Sequence, residues 1–225
     1  MISVKTLRGF LDGVASLYAK AKKPLSRLVD KRVVKGRAKC VASQAEELFA
    51  DFICKSILRT KKGYKVFVDF PITVKPGRDG KKSETRYIDF ILVRVSESDK
   101  YEILYMAELK LNTGWMRDRV SECANDMRSL RDCLREGDIS AREPNLNSGR
   151  VKFVFNQRAF YDLIIFSGAN ADLTSLKKEV KLINSQDDNT KAAILCDGPI
   201  VKGCEMNKRG KTMIDRRIRL AAFRG

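Results

Sequence analysis

The 225-residue chain contains no histidine. That absence excludes imidazole acid/base catalysis and every metal site built on His ligands. There is a single tryptophan and there are only five prolines, and no low-complexity tract is seen. No window of about 18 uncharged apolar residues occurs, as a membrane-spanning helix would need. The opening MISVKTLRGFLDGVASLYAKAKK lacks an apolar core followed by a small-residue cleavage site. An intracellular protein is expected, cytoplasmic or in a nucleoid or nucleus, and not secreted. The six cysteines, at 40, 54, 123, 133, 196 and 204, form no CxxC pair. Without histidine a zinc site would need four of them, so reduced thiols within secondary-structure elements are expected.

Positive charge is what the chain has in excess: 45 Lys and Arg against 28 Asp and Glu, a net +17. Residues 1–40 carry eleven basic and two acidic residues, and residues 198–225 carry eight and two. The 157 residues between them are left with only +2. The distribution predicts three parts: a basic helical N-terminal extension (1–40), a nearly neutral core (41–197) and a basic C-terminal tail (198–225). Concentrated Lys and Arg favour a polyanion through counterion release, so nucleic acid is the expected partner. Neither end shows an amphipathic helix with bulky aromatics on one face, and a membrane partner is not expected.

Periodicity predicts a first helix near Thr6–Lys20, with Leu7, Phe10, Leu11, Val14, Leu17 and Tyr18 on one face. A second is expected over ASQAEELFADFICKSILRT, started by a capping box of Ser43 and Glu46. A strand over Tyr64–Val74 and a hairpin within residues 87–112 follow. A long helix is expected from Trp115 to Arg135, then a loop over 136–150. YDLIIFSG and KAAILCD read as strands separated by a helix over DLTSLKKEVKLIN. Helices alternating with apolar strands predict an α/β fold around a central mixed β-sheet flanked by helices.

The hairpin YIDFILVRVSESDKYEILYMAELKLN carries charges inside apolar runs. A buried charge persists only if it is paired or coordinates a metal. Side chains alternate faces along a strand, so Glu108 and Lys110 share one face, and Asp89 on the neighbouring strand falls near Glu108. Two close carboxylates repel unless a cation lies between them, and an oxygen-only site with an open face suits Mg²⁺. Lys110 would add a second positive centre for a phosphate. A solvated ion pair, Glu108 with Lys110 or Asp89 with Arg86, is the plainer account of the same residues.

Asp89, the triplet Glu108-Leu109-Lys110 matching E-X-K, an acidic residue in the preceding helix and the order helix, three strands, helix, strand together resemble the PD-(D/E)XK nuclease superfamily. The resemblance covers roughly residues 41–167 and implies a restriction-endonuclease-like αβββαβ core. The residue before Asp89 is Ile88, so the name-giving proline is missing. The family resemblance implies that Asp89, Glu108 and the Leu109 backbone carbonyl hold Mg²⁺, for which Mn²⁺ can substitute. It implies that Lys110 orients the attacking water and that a helix glutamate binds a second metal or orders a water. At about 100° per residue Glu46 flanks the apolar face and Glu47 lies nearly opposite, which favours Glu46. Glu46 as a capping-box carboxylate is the competing role.

The implied activity is metal-dependent hydrolysis of DNA phosphodiesters, in restriction, defence or DNA processing. An RNA endonuclease on the same scaffold and a nucleic-acid-binding module without catalysis remain alternatives. DNA is favoured over RNA because no aromatic RNA-binding strand is visible. Lys31, Arg32, Lys35 and Arg37 before the core, and Arg117, Arg119, Arg128 and Arg131 after the hairpin, are candidate phosphate contacts. Trp115 is a candidate for base stacking or a packing anchor. Duplex cutters of this fold often act as dimers, so a homodimer is an open expectation.

Overall fold

The structure is a computed structural model; it describes residues 4–22, 41–58, 63–75, 83–95, 100–112, 120–141 and 151–223. Among these residues five α-helices surround a mixed six-stranded sheet. In chain order they are α1 (Val4–Lys22), α2 (Ala42–Ile53) with a π turn (Cys54–Leu58), β1 (Tyr64–Lys75), β2 (Glu84–Val95), β3 (Lys100–Asn112), α3 (Val120–Glu136), β4 (Asp138–Ala141), β5 (Val151–Ser167), α4 (Leu173–Gln186), β6 (Ala192–Cys196) and α5 (Lys208–Phe223).

Strands β1, β2 and β3 form an antiparallel meander, and β3 then pairs in parallel with β5, which pairs in parallel with β6. The short β4 bridges β1 and β5. The pairings β1–β2–β3–β5–β4–β1 therefore return on themselves, and the sheet curls around Phe67, Phe70, Tyr101 and Phe153. Such a curl gives the interior aromatic rings a closed wall on several sides, where edge and tilted contacts add to area burial.

One face of the sheet is covered by α1, α2 and α5. Phe10 of α1 meets Phe49 and Phe52 of α2 and Phe166 of β5, so the N-terminal helix is part of this packing. The other face is covered by α3 and α4 through Val120, Ala124, Met127, Leu176 and Ile183. Among the described residues no helix is long and apolar enough to cross a membrane.

Several elements differ from the sequence expectation. No capping box forms: Val41 is the N-cap residue without a side-chain bond, and Ala45 N–H donates to the Val41 carbonyl at 3.0 Å. Burial of Val41 draws the helix start upstream, which leaves Ser43 inside the first turn. The stretch expected as a loop contains β4, because Ile139 is buried between Val74 and Phe153. Strand β5 begins ten residues before YDLIIFSG and carries a bulge at Asn156–Ala159, where its register to β3 shifts. Within the basic stretch 198–225, α5 buries Ile214, Ile218 and Ala222 in the core. Its Ile214, Ile218, Ala221 and Ala222 recur at helical spacing, a signal that the charge of the segment obscured.

Candidate active site

The site lies where β2 and β3 part. Their ladder ends at Phe90↔Ala107, so the next residues, Asp89 and Glu108, face each other without a backbone pair. The Asp89 carboxylate takes over as acceptor: Leu109 N–H donates to its Oδ2 at 2.7 Å. This satisfies a backbone donor that the splayed strand would leave unpaired.

The break continues into β1. The β1–β2 ladder skips Asp69 and Asp89 between Val68↔Phe90 and Phe70↔Ile88, and Asp69 has a φ of 45°. Val68 and Phe90 pack on the α2 side, whereas Phe70 and Ile88 pack on the α3 side. Strict alternation would put residues two apart on one face. The pair of strands thus changes face at Asp69 and Asp89, and both carboxylates sit at the change.

Glu108 and Lys110 project together as their spacing requires. The Lys110 ammonium donates to Glu108 Oε2 at 3.0 Å and to Asp89 Oδ2 at 3.3 Å. Tyr161 of β5 donates its hydroxyl to the other oxygen of Glu108 at 2.6 Å. Both carboxylates are less than one-fifth exposed, so the shared ammonium is the counter-charge that makes their burial tolerable.

Electrostatics mark these residues as one cluster. Burial, reinforced by Asp89 and Asp69, raises the Glu46 carboxyl to about 7. Burial and the Asp89 charge raise Glu108, against the pull of Lys110 and Tyr161. Burial by itself would lower Lys110, but Glu108 and Asp89 outweigh it and hold the amine above its ordinary value. Cys123 of α3 also borders the cluster, its thiol pushed up to about 11 by burial and by Glu108 against the pull of Lys110.

Asp89, Glu108, Lys110 and the Leu109 backbone are therefore brought together, with Glu46 within electrostatic reach. Glu47 is on the exposed side of α2. Lys31, Arg32, Lys35, Arg37, Trp115, Arg117 and Arg119 lie outside the described residues. Arg131 is not a free phosphate contact: it donates to Asp187 at 2.6 Å and to Thr190 at 3.2 Å. Arg128 likewise donates to Asn125 and to the Ile183 carbonyl.

Asp69, Tyr161 and Cys123 join the cluster without having been among the expected site residues. The signal for Asp69 was present, since YKVFVDFPITVK embeds a charge in an apolar strand just as YIDFILV does. Tyr161 and Cys123 carried none, because an apolar-looking residue in a strand or helix reads as core.

Among the described residues no three acidic or cysteine side chains are gathered tightly enough to form a metal cage. The chemistry of the Asp89 and Glu108 donors, hard oxygens already sharing one cation, fits a hard divalent ion. No protein-family model, curated protein or solved structure matches the chain.

Proposed function

We propose that the protein is a metal-dependent nuclease that hydrolyses phosphodiester bonds, with DNA favoured over RNA. The observation that carries this reading is the convergence of Asp89 and Glu108 on Lys110 at the parting of β2 and β3, with the ammonium within hydrogen-bond reach of both carboxylates. The surrounding order supports it: α2, an antiparallel meander, α3, the short antiparallel β4, then β5 and β6 running parallel to β3. That is the arrangement the PD-(D/E)XK resemblance implies, and it supports a restriction-endonuclease-like core.

In this reading Asp89 and Glu108, with the Leu109 carbonyl, would hold Mg²⁺ or Mn²⁺. An extended residue points its N–H and C=O to the same edge of its strand, and the Leu109 N–H already faces Asp89. The ion would polarise the scissile phosphate and lower the pKa of a water. Lys110, kept protonated by its two carboxylates, orients the attacking water and offsets charge growing on phosphorus. Tyr161 fixes the rotation of Glu108 by holding one of its oxygens. Glu46, raised to about 7, can accept or hold a proton at neutral pH beside the reacting centre.

The test is cleavage of labelled plasmid, linear duplex, single-stranded DNA and RNA with Mg²⁺, Mn²⁺ or EDTA, comparing the wild type with Asp89→Ala and Lys110→Ala. Metal-dependent cutting that both substitutions abolish supports the reading and identifies the substrate. Binding without cutting in every metal would leave a nucleic-acid-binding scaffold instead.

A further inference from the structure

The outer edge of the sheet carries a second feature, away from the carboxylate cluster. Strand β6 is bordered by α4 on one side and α5 on the other, and the space between the two helices is a groove of about 970 Å³. A neighbouring cavity of about 830 Å³ shares Asn184, Lys208, Arg209 and Met213 with it, so the two form one continuous channel along the α4 and α5 surfaces.

The walls are cationic. Lys178 and Lys181 of α4 and Lys208, Arg209 and Arg216 of α5 line the channel and are exposed. Three acidic residues also line it, of which Glu205 is exposed and Asp197 and Asp188 are engaged. Asp197 accepts from Lys177 at 2.6 Å and from Asn207 at 2.7 Å, and Asp188 accepts from Lys191 at 3.1 Å. Among the described residues Lys181, Lys208, Arg209 and Arg216 form no ion pair with a carboxylate. Two helices thus line one trough with more cations than its carboxylates offset, a field that attracts a polyanion.

The channel is also aligned with the carboxylate cluster. Lys110 pairs across the sheet with Ile165, and Ile165 with Ile194. Ile194 lines the channel, so the strand that borders the trough is level with Lys110 and two strand spacings from it, roughly 10 Å.

We infer that this α4–α5 channel is a second binding surface for nucleic acid, gripping the phosphodiester backbone through Lys178, Lys181, Lys208, Arg209 and Arg216. The inference rests on the reading of the protein as one that acts on nucleic acid. The grip is independent of sequence, because it engages phosphates and no base edge. It holds a strand that has passed the carboxylate cluster, or the partner strand of a duplex.

The experiment measures fluorescence anisotropy of labelled duplex DNA, single-stranded DNA and RNA with the full chain, without divalent ions, over a range of salt. The variants are Lys181→Ala/Arg209→Ala in the channel and Arg8→Ala/Lys20→Ala on α1, which removes the same charge elsewhere. Thermal melting checks that each variant folds. The channel variant should bind roughly tenfold or more weakly near 0.1 M salt, with the slope of log affinity against log salt shallower by about 1.8 for duplex DNA, two phosphate contacts at about 0.9 each. The α1 variant should lose far less. Equal losses in the two variants, or wild-type affinity in the channel variant, would overturn the channel as a site. So would a channel variant that binds nucleic acid like the wild type but is impaired in a parallel flotation assay with phosphatidylserine vesicles. Asp89→Asn separates the two readings: binding that depends on the channel while no protein cuts retains the channel and removes the nuclease, whereas metal-dependent cutting with a dispensable channel does the reverse.

Discussion

Asp89 and Leu109 are joined by a 2.7 Å hydrogen bond across the gap where their strands separate. The carboxylate stands in for the missing backbone acceptor, so Asp89 ties the two strands together as well as contributing charge. Replacing it with Ala removes both functions, whereas Asn keeps an acceptor oxygen for the Leu109 N–H. Asp89→Asn should therefore melt close to the wild type, and Asp89→Ala should lose about 1–3 kcal/mol for the unpaired donor. Urea denaturation distinguishes the two, while the proposed nuclease activity should be lost in both.

Lys110→Met leaves two facing carboxylates without their shared cation. In the absence of divalent ions the variant should be less stable than the wild type, and added Mg²⁺ should restore more stability to it than to the wild type. If the proposed nuclease reading holds, its cleavage rate should fall by roughly 10²–10³-fold at saturating metal, the scale of losing one transition-state donor. Calorimetric melting with and without Mg²⁺ reads the first effect and single-turnover cleavage the second.

Glu46 gives a pH signature. Its folded pKa, about 7, lies above its unfolded value of 4.5 because of burial and the Asp89 and Asp69 charges. The folded state then binds more protons than the unfolded one between those values, so this group's contribution to stability is fully present below pH 4.5 and is lost as pH rises through 7. Glu46→Gln should melt above the wild type at pH 8 and alike at pH 4, in metal-free buffer. A variant that gained nothing at pH 8 would mean that Glu46 is not crowded by the other carboxylates.

Asp69 has the left-handed φ of 45° that costs an ordinary side chain roughly 1–2 kcal/mol. Asp69→Gly removes that strain and one negative charge, and it should be neutral or stabilising in metal-free buffer. Asp69→Ala keeps the strain and should be less stable than the glycine variant. Guanidinium denaturation of the pair isolates the backbone effect from the charge.

The Arg217 and Asp162 pair sets how firmly α5 is held. Nε of Arg217 reaches Asp162 at 2.6 Å, its other nitrogens donate to the Asp188 and Asn189 carbonyls, and its plane lies 4.1 Å from the Phe160 ring centre. Asp162 is fully buried and also accepts Lys191 N–H. Arg217→Ala leaves that carboxylate unpaired and should cost about 3–5 kcal/mol in urea. Arg217→Lys should recover only part of it, because an ammonium cannot reproduce the fork.

Much of this architecture is legible in the chain. The apolar runs place β1, β2, β3 and β6, and a charge inside an apolar strand points to Asp89, Glu108 and Lys110. The same rule applied to β1 would have found Asp69. What the chain conceals is long-range geometry. The Asp162–Arg217 bond joins residues 55 apart, and neither pattern nor spacing announces it. β4 is four residues long, too short for a periodicity. The change of face at Asp69 and Asp89 breaks the alternation from which strands are read, and it does so at the site itself.

The outer border of β6 has a consequence for assembly. Asn207 N–H donates to the Leu195 carbonyl, Met206 bridges Cys196, and Asn184 bonds both backbone groups of Ala192. Gly210 then lies so close to Ile194 that a β-carbon there would collide with its carbonyl oxygen. A strand border sealed this way offers no ladder for another chain to extend, which protects a cationic, apolar-cored protein from stacking into fibrils. A second copy could not add a strand at this border, and the missing methyl of one glycine helps to keep it closed.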